Sequence, residues 1–295
     1  MFKRFLAHQR CYFTLSLGYL LSGWLLATPL SVHAQPNSIL TEQGDELKNV
    51  LIDSDIPINP IETAFDASTV PNDPLDSPFP VPWQWIIETQ QEFRDQGVEG
   101  NRYYRSQALV SPDGKYAAYT RIQMVAASEL YQSQVTSVVF LENLETGELQ
   151  VIRADSPLAK YLLESYAHED ISGLISVLMP ISWSAKGDRL LSRQLEGFFN
   201  TSDVTDYGVI WERESNETTT LTPVQNPHDH ETAILLGWND DNGEQVLFRS
   251  GSLGDEDWPL VAVTDEGDTL LATDADSVTY GQFVTRSWTG SQILQ

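Results

Sequence analysis

Three segments of the chain share one pattern of apolar and polar positions. In each, a short apolar stretch leads into a polar turn that contains glycine, and a second apolar stretch follows. The segments are residues 108–119, 181–192 and 236–248, and their glycines are Gly114, Gly187 and Gly243. We expect these glycines to adopt the positive φ that tight turns favour, so the pattern predicts three β-hairpins.

A second hairpin pattern follows each of the three segments, at residues 138–152, 208–222 and 260–273. Two successive hairpins predict a four-stranded antiparallel meander. The predicted units cover about 104–155, 178–224 and 234–276, with terminal strands over 277–295. Because one such sheet buries only one face well, we expect neighbouring units to stack.

Two short helices interrupt this β pattern. Ile86, Gln90 and Phe93 share one helical face after Trp83, and Gly97 is predicted to end that helix. Between the first two units, Ser156 and Pro157 have the residue types of an N-cap and a first helical position, which predicts a helical insertion over residues 158–166.

The turn at residues 111–116, Ser-Pro-Asp-Gly-Lys-Tyr, resembles the repeat turn of TolB-type β-propellers. Trp183 and Trp238 lie where those repeats carry tryptophan, whereas Val110 stands there in the first copy and the other copies lack Pro-Asp-Gly. The resemblance spans residues 108–275. It implies an all-β fold, a small or partial β-propeller of four-stranded antiparallel meanders, and it implies no function.

Two arrangements of such a propeller remain open. Propellers usually close with four to eight blades, and this chain has three full units. Either both termini complete a closed small propeller, or the propeller is open and partial, with its edges covered by the N-terminal arm or by a partner chain.

The N-terminus has the pattern of an export signal. Lys3, Arg4 and Arg10 precede a mostly apolar stretch over residues 15–30, and residues 32–34, Val-His-Ala, fit a cleavage site. We therefore predict a signal peptide at residues 1–34 and a periplasmic or secreted protein. The alternative is an uncleaved helix that anchors the chain in a membrane.

Residues 35–82 contain more than half of the chain's 15 prolines, interspersed with acids. This composition predicts an acidic, proline-rich linker, disordered or extended as an arm on the domain, and residues 83–295 form the β domain.

Charge narrows the classes of partner. The chain has 17 Lys and Arg against 42 Asp and Glu, a formal charge of −25, which becomes −28 if the three cations of the signal are removed. A general nucleic-acid binder needs clustered cations, so that class is excluded, and we expect no membrane association after signal cleavage. Cys11 is the one cysteine and lies in the signal, which excludes disulfides and thiol catalysis from the mature chain.

Catalytic motifs are missing from the sequence. There is no Gly-x-Ser-x-Gly elbow, phosphate loop, dinucleotide fingerprint or His-Glu-x-x-His. We therefore favour an exported binding or scaffold protein of the cell envelope, with an envelope or secreted protein as its partner and no cofactor. Whether the chain is an enzyme stays open, with a non-enzyme preferred.

Two alternatives rest on particular side chains. His168, His228 and His230 lie beside acids in links between units, and converging links would offer imidazoles to a divalent metal such as Zn²⁺ in a metal-dependent enzyme. Trp83, Trp85 and Trp258 would instead suit a carbohydrate-binding module.

Overall fold

Three consecutive four-stranded antiparallel meanders make up most of the domain in the computed structural model, which describes residues 72–160, 172–223, 231–252 and 254–284. The first is formed by β1 (Gly100–Arg105), β2 (Ala108–Val110), β3 (Tyr116–Ala126), β4 (Gln134–Asn143) and β5 (Leu149–Ile152), where β1 continues β2 along β3. The predicted signal peptide and residues 35–71 of the linker lie outside the described residues.

The second and third meanders repeat the strand order of the first. The second contains β6 (Leu174–Trp183), β7 (Arg189–Phe198), β8 (Val204–Glu212) and β9 (Thr218–Leu221). The third contains β10 (Glu231–Asn239), β11 (Val246–Ser252), β12 (Leu260–Val263) and β13 (Thr269–Leu271). Two short strands, β14 (Ser277–Val278) and β15 (Gln282–Val284), follow. The predicted all-β class is confirmed.

The first two meanders do not stand as separate sheets, which the sequence did not predict. β4 and β6 pair in parallel over two residues, Val135 with Ile175 and Thr136 with Ser176, and give one curled ten-stranded sheet. After these two residue pairs, a side chain takes the place of a backbone acceptor between the two strands. The Ser137 hydroxyl of β4 accepts a hydrogen bond from the Leu178 N–H of β6 at 2.6 Å. The third meander forms a five-stranded sheet with β14.

The predicted hairpin turns are present, with one correction. Gly114 and Gly187 have φ of 71° and 73°, as expected. In both turns a serine hydroxyl, of Ser111 or Ser184, accepts a backbone N–H across the turn. Gly243 is not among the residues with positive φ. The third turn is one residue longer, and the expectation for Gly243 was wrong because the extra residue relaxes the turn.

The first strand of each meander also carries the same one-residue bulge just before its turn. Register shifts fall between Pro180 and Ser182 in β6 and between Leu235 and Gly237 in β10. In the first meander, the break between β1 and β2 supplies the extra residue, since Arg105 pairs with Arg121 and Leu109 with Ala118. Bulges of this kind increase the local twist of a strand.

Residues 277–284 connect all three meanders at equivalent positions of these bulged strands. Val278 pairs with Trp238 of the third meander, Tyr280 with Trp183 of the second, and Gln282 with Val110 of the first. The contacts advance by two residues each time because alternate residues of an extended strand face the same edge. We refer to residues 277–284 as the C-terminal strand segment.

Apolar clusters fill the spaces between the meanders. Trp183, Trp211 and Leu141 belong to the cluster between the first and second meanders, and Trp238 and Phe248 to the cluster between the second and third. At another side of the sheet, the helix α1 (Trp83–Gln96) buries Ile86 against β3 and β6 residues. Gln90 is buried, and Gly97 ends α1 in the left-handed conformation, both as predicted.

The end of the predicted linker belongs to the packed domain. Within residues 72–82, Leu75 and Val81 are buried in the same cluster as Ile86. These prolines and acids therefore lie in an ordered arm on the domain, one of the two forms that the sequence allowed. Of the predicted helical insertion, residues 157–160 are described and helical, and the Ser156 hydroxyl caps it by accepting the Ala159 N–H at 3.0 Å.

The C-terminal strand segment predicts a contrast between two glycines. A Cβ at Gly281 would lie 2.9 Å from the Trp183 ring and 2.9 Å from the Val110 carbonyl oxygen, at φ +107°, whereas a Cβ at Gly243 would meet nothing within 4 Å. Gly281→Ala should therefore lower the free energy of unfolding by about 1–3 kcal/mol, and Gly243→Ala should change it by less than about 0.5 kcal/mol. Denaturant unfolding measures both free energies. Equal losses for the two variants would contradict the inference that the C-terminal strand segment stabilises the domain by connecting its meanders.

Candidate functional site

The tryptophans that suggested sugar binding are separated in the structure. Trp83 stacks on Phe199 with ring centroids 5.9 Å apart, and Trp85 packs against Tyr104 at 5.4 Å. Both rings contribute to the apolar cluster under α1. Trp258 belongs to the third meander, so the structure does not bring it together with the other two.

The histidines predicted to bind metal, His168, His228 and His230, lie outside the described residues. Among the residues that the structure does describe, no group of three or more His, Cys, Asp or Glu side chains is arranged to hold a metal ion.

A buried ion triad joins three parts of the domain. The guanidinium of Arg193 on β7 donates to Asp206 of β8 at 2.7 Å and to Asp73 of the arm at 2.7 and 3.1 Å. It also donates to the Phe79 carbonyl at 2.7 Å. Asp206 accepts the Leu235 N–H of the third meander at 3.0 Å. All three charged side chains are almost fully buried.

The two carboxylates of this triad have opposite pKa shifts. Burial raises the pKa of Asp206 to about 6, although Arg193 and the Leu235 N–H favour its charged form. Burial acts on Asp73 too, but hydrogen bonds from Arg193, Val81 and Leu75 outweigh it and lower the pKa of Asp73. The triad is closed on every side by these bonds, so we assign it a structural role as an anchor of the arm.

A third buried carboxylate, Glu196, also has its hydrogen bonds supplied by the fold. It accepts the Leu158 N–H at 2.9 Å at the start of the helical insertion, the Ser176 hydroxyl at 3.0 Å and the Gln194 amide at 2.7 Å. A carboxylate at a helix N-terminus is favoured by the helix dipole. This cluster therefore ties the insertion to β7.

One face of the first meander combines arginine, aromatic and exposed apolar side chains. Cross-strand register places a set of side chains there, opposite the face that packs on the second meander. We call this set the outer face: Tyr103, Arg105, Tyr119, Arg121, Thr136, Val138, Phe140, Glu142, Leu149 and Val151. Tyr103, Leu149 and Val151 are exposed by 59%, 44% and 45%.

Arginine–aromatic contacts fix the geometry of the outer face. Tyr119 and Phe140 stack with centroids 5.4 Å apart, and the Arg105 guanidinium lies 4.0 Å from the Tyr119 ring centroid. Arg121 lies 5.8 Å from the Tyr103 ring and makes no ion pair within the described part of the chain. Arginine and aromatic side chains of this kind are enriched in protein interfaces.

The sequence pattern did not identify the outer face, because it predicts that a meander buries one face but does not show which face of the first meander stays exposed. The signal was present in β3, where Tyr119 and Arg121 alternate with Ala118 and Thr120. A strand that faces solvent on one side alternates in this way.

No protein-family model matches the sequence, and a search of curated proteins finds no match. Within the described residues, no helix is both long and apolar enough to cross a membrane.

The buried triad predicts a specific pH dependence. Because the pKa of Asp206 is raised in the folded state, folding favours its protonated form, and this contribution declines as pH rises from about 4 to about 6. The free energy of unfolding of the wild type, minus that of Asp206→Asn, should therefore fall as pH rises over that range and stay constant above it. Urea unfolding at a series of pH values measures the difference.

Asp73→Asn is the control for the sign of this effect. The pKa of Asp73 is lowered by folding, so its contribution is present above about pH 4 and is lost as pH falls below that value. The gap between the wild type and Asp73→Asn should widen with rising pH in the acidic range. If the free energy of unfolding of the wild type, minus that of Asp206→Asn, instead rose between about pH 4 and 6, the raised pKa of Asp206 would be contradicted.

Proposed function

We propose that this chain is an exported binding or scaffold protein, periplasmic or secreted, which docks a protein partner on the outer face of its first meander. The proposal includes a fold: an open, partial β-propeller in which the other described residues leave one face of the first meander exposed. The three meanders and their shared bulges support this description, and so does the TolB-type turn. The single observation that carries the function is the arginine–aromatic composition of the outer face.

Charge indicates the chemistry of the partner. The chain carries −25 overall, yet the outer face presents Arg105 and Arg121 over aromatic rings. If two copies of the chain docked by this face, each face would meet an equally basic one, and surfaces of like potential disfavour association. We therefore assign the outer face to a different protein, one that presents carboxylates among apolar side chains.

The outer face also contains a groove into which side chains of such a partner would fit. A groove of ≈ 420 Å³ runs across β3 and β4, lined by Tyr103, Arg121, Thr136 and Phe140 among others. Apolar side chains of the partner would fill the groove, while its carboxylates would pair with Arg121 at the rim. Aromatic and arginine anchors inside a dry contact carry most of the affinity in interfaces of this kind.

Site-specific photocrosslinking tests this function. A photoreactive residue at Thr136, on the outer face, should capture an envelope or secreted protein that the same residue at Thr219 does not capture. Thr219 is exposed on β9, away from the outer face. Failure to capture any protein specifically at position 136 would contradict the proposal.

Affinity measurements with the purified partner complete the test. Arg121→Glu should weaken binding by at least about tenfold, because it reverses a charge inside the contact. Lys186→Glu makes the same charge change on the exposed turn of the second meander and should alter the dissociation constant by less than about twofold. Equal effects of the two variants would contradict docking on the outer face, whereas rescue of Arg121→Glu by an acid-to-arginine change in the partner would support it.

A further inference from the structure

The third meander contains a cleft that the proposed docking function does not use. It lies on the side of the sheet away from the second meander and has a volume of ≈ 580 Å³. Its apolar walls include Leu236, Leu247 and Leu260, and its charged groups come from β11, from the β11–β12 loop and from the chain after β13. This volume falls in the range of sites for small ligands.

Trp258 is held in place at this cleft by two contacts. Its indole N–H donates to the Ser252 carbonyl at 3.2 Å, and its ring lies directly on Gly251. A Cβ at Gly251 would come within 2.6 Å of the ring, so glycine at this position is what admits the indole. The ring is therefore an ordered, half-buried platform with its position fixed before any ligand arrives.

Four charged side chains lie around Trp258 in this cleft. Arg249, Glu256, Asp257 and Asp276 line the cleft. Within the described residues, the side chains of these four make no ion pair with one another. The cleft thus offers a five-donor guanidinium and three acceptor-only carboxylates beside an aromatic ring.

We propose that this cleft binds a carbohydrate that is uncharged or carries an amino group. Sugar hydroxyls both donate and accept hydrogen bonds, so they satisfy carboxylates and guanidinium together, while the apolar face of a sugar ring packs on the indole. Three carboxylates against one arginine repel acidic sugars. A simple metal cation would leave the donors of Arg249 unused and would have no apolar face to pack on the indole.

This carbohydrate site differs from the one that the sequence suggested. Trp83 and Trp85 take no part, since their rings pack under α1. The ligand-binding role is left to Trp258 with the polar side chains that only the fold brings to it, notably Arg249 of β11 and Asp276 before β14. The site lies apart from the outer face, so each is tested without the other.

Calorimetric titration of the exported chain tests the proposal with three probes: a neutral glucose trisaccharide, a glucosamine trisaccharide and a galacturonic acid trisaccharide. We expect binding of the neutral or the amino trisaccharide and at least about tenfold weaker binding of the acidic one. Absence of heat with both the neutral and the amino probe at about 10 mM would overturn the proposal. Equal affinity for the acidic probe would do so as well.

Variants locate the binding on the proposed residues. Trp258→Ala should weaken binding by at least about tenfold, and Trp258→Phe, which keeps an aromatic ring, should retain part of the affinity. Asp257→Asn should weaken binding by about threefold or more. Asp265→Asn removes an exposed acid of the same meander outside the cleft and should change the affinity by less than about twofold. Binding that survives Trp258→Ala unchanged would contradict the site.

Discussion

The hydrogen bonds of Arg193 fix the relation between the arm and the second meander, and through Asp206 they extend to the third. The guanidinium lies in the interior, where a lone charge would be strongly unfavourable, and it is stable there because Asp73 and Asp206 approach it from two sides. Removal of one partner from a buried ion pair costs roughly 3–5 kcal/mol. The Asp73 carboxylate also accepts hydrogen bonds from the Leu75 and Val81 N–H groups of the arm. One carboxylate therefore both shapes the arm and attaches it to β7.

The C-terminal strand segment supplies a complementary constraint along the first strands of all three meanders. Its pairing with Val110, Trp183 and Trp238 uses backbone groups that would otherwise form free sheet edges. A buried indole adds to this at the second meander, since Trp183 donates to the Leu109 carbonyl at 3.1 Å. Two arginines link the three turns from outside. Arg213 pairs with Asp113 of the first turn at 2.8 Å and donates to the Gly187 carbonyl of the second, and Arg189 donates to the Gly243 carbonyl of the third at 2.7 Å. Hydrogen bonds from Arg213, Ser111 and the Lys115 N–H lower the pKa of Asp113 to about 2 despite the opposing effect of burial.

Local features of this fold could be predicted from the sequence, whereas long-range features could not. Gly114 and Gly187 identified their turns because positive φ is a local requirement, and Gly97 ended α1 for the same reason. The parallel pairing of β4 with β6 and the contact between Asp73 and Arg193 join residues that are distant in sequence, and no periodic pattern encodes them. The outer face was missed since Tyr119 and Phe140 have the residue types of a core, and only the register shows that they lie opposite the packed face.

Together, the anchor at Arg193 and the C-terminal strand segment hold the meanders in a fixed arrangement that leaves the outer face of the first meander available. The most direct test of this account is hydroxyl-radical footprinting of the outer face in the presence and absence of the captured partner. The account predicts that oxidation of Tyr103 and Phe140 falls on binding, while that of Trp258 on the third meander does not change. Unchanged oxidation of Tyr103 and Phe140 in the saturated complex would contradict it.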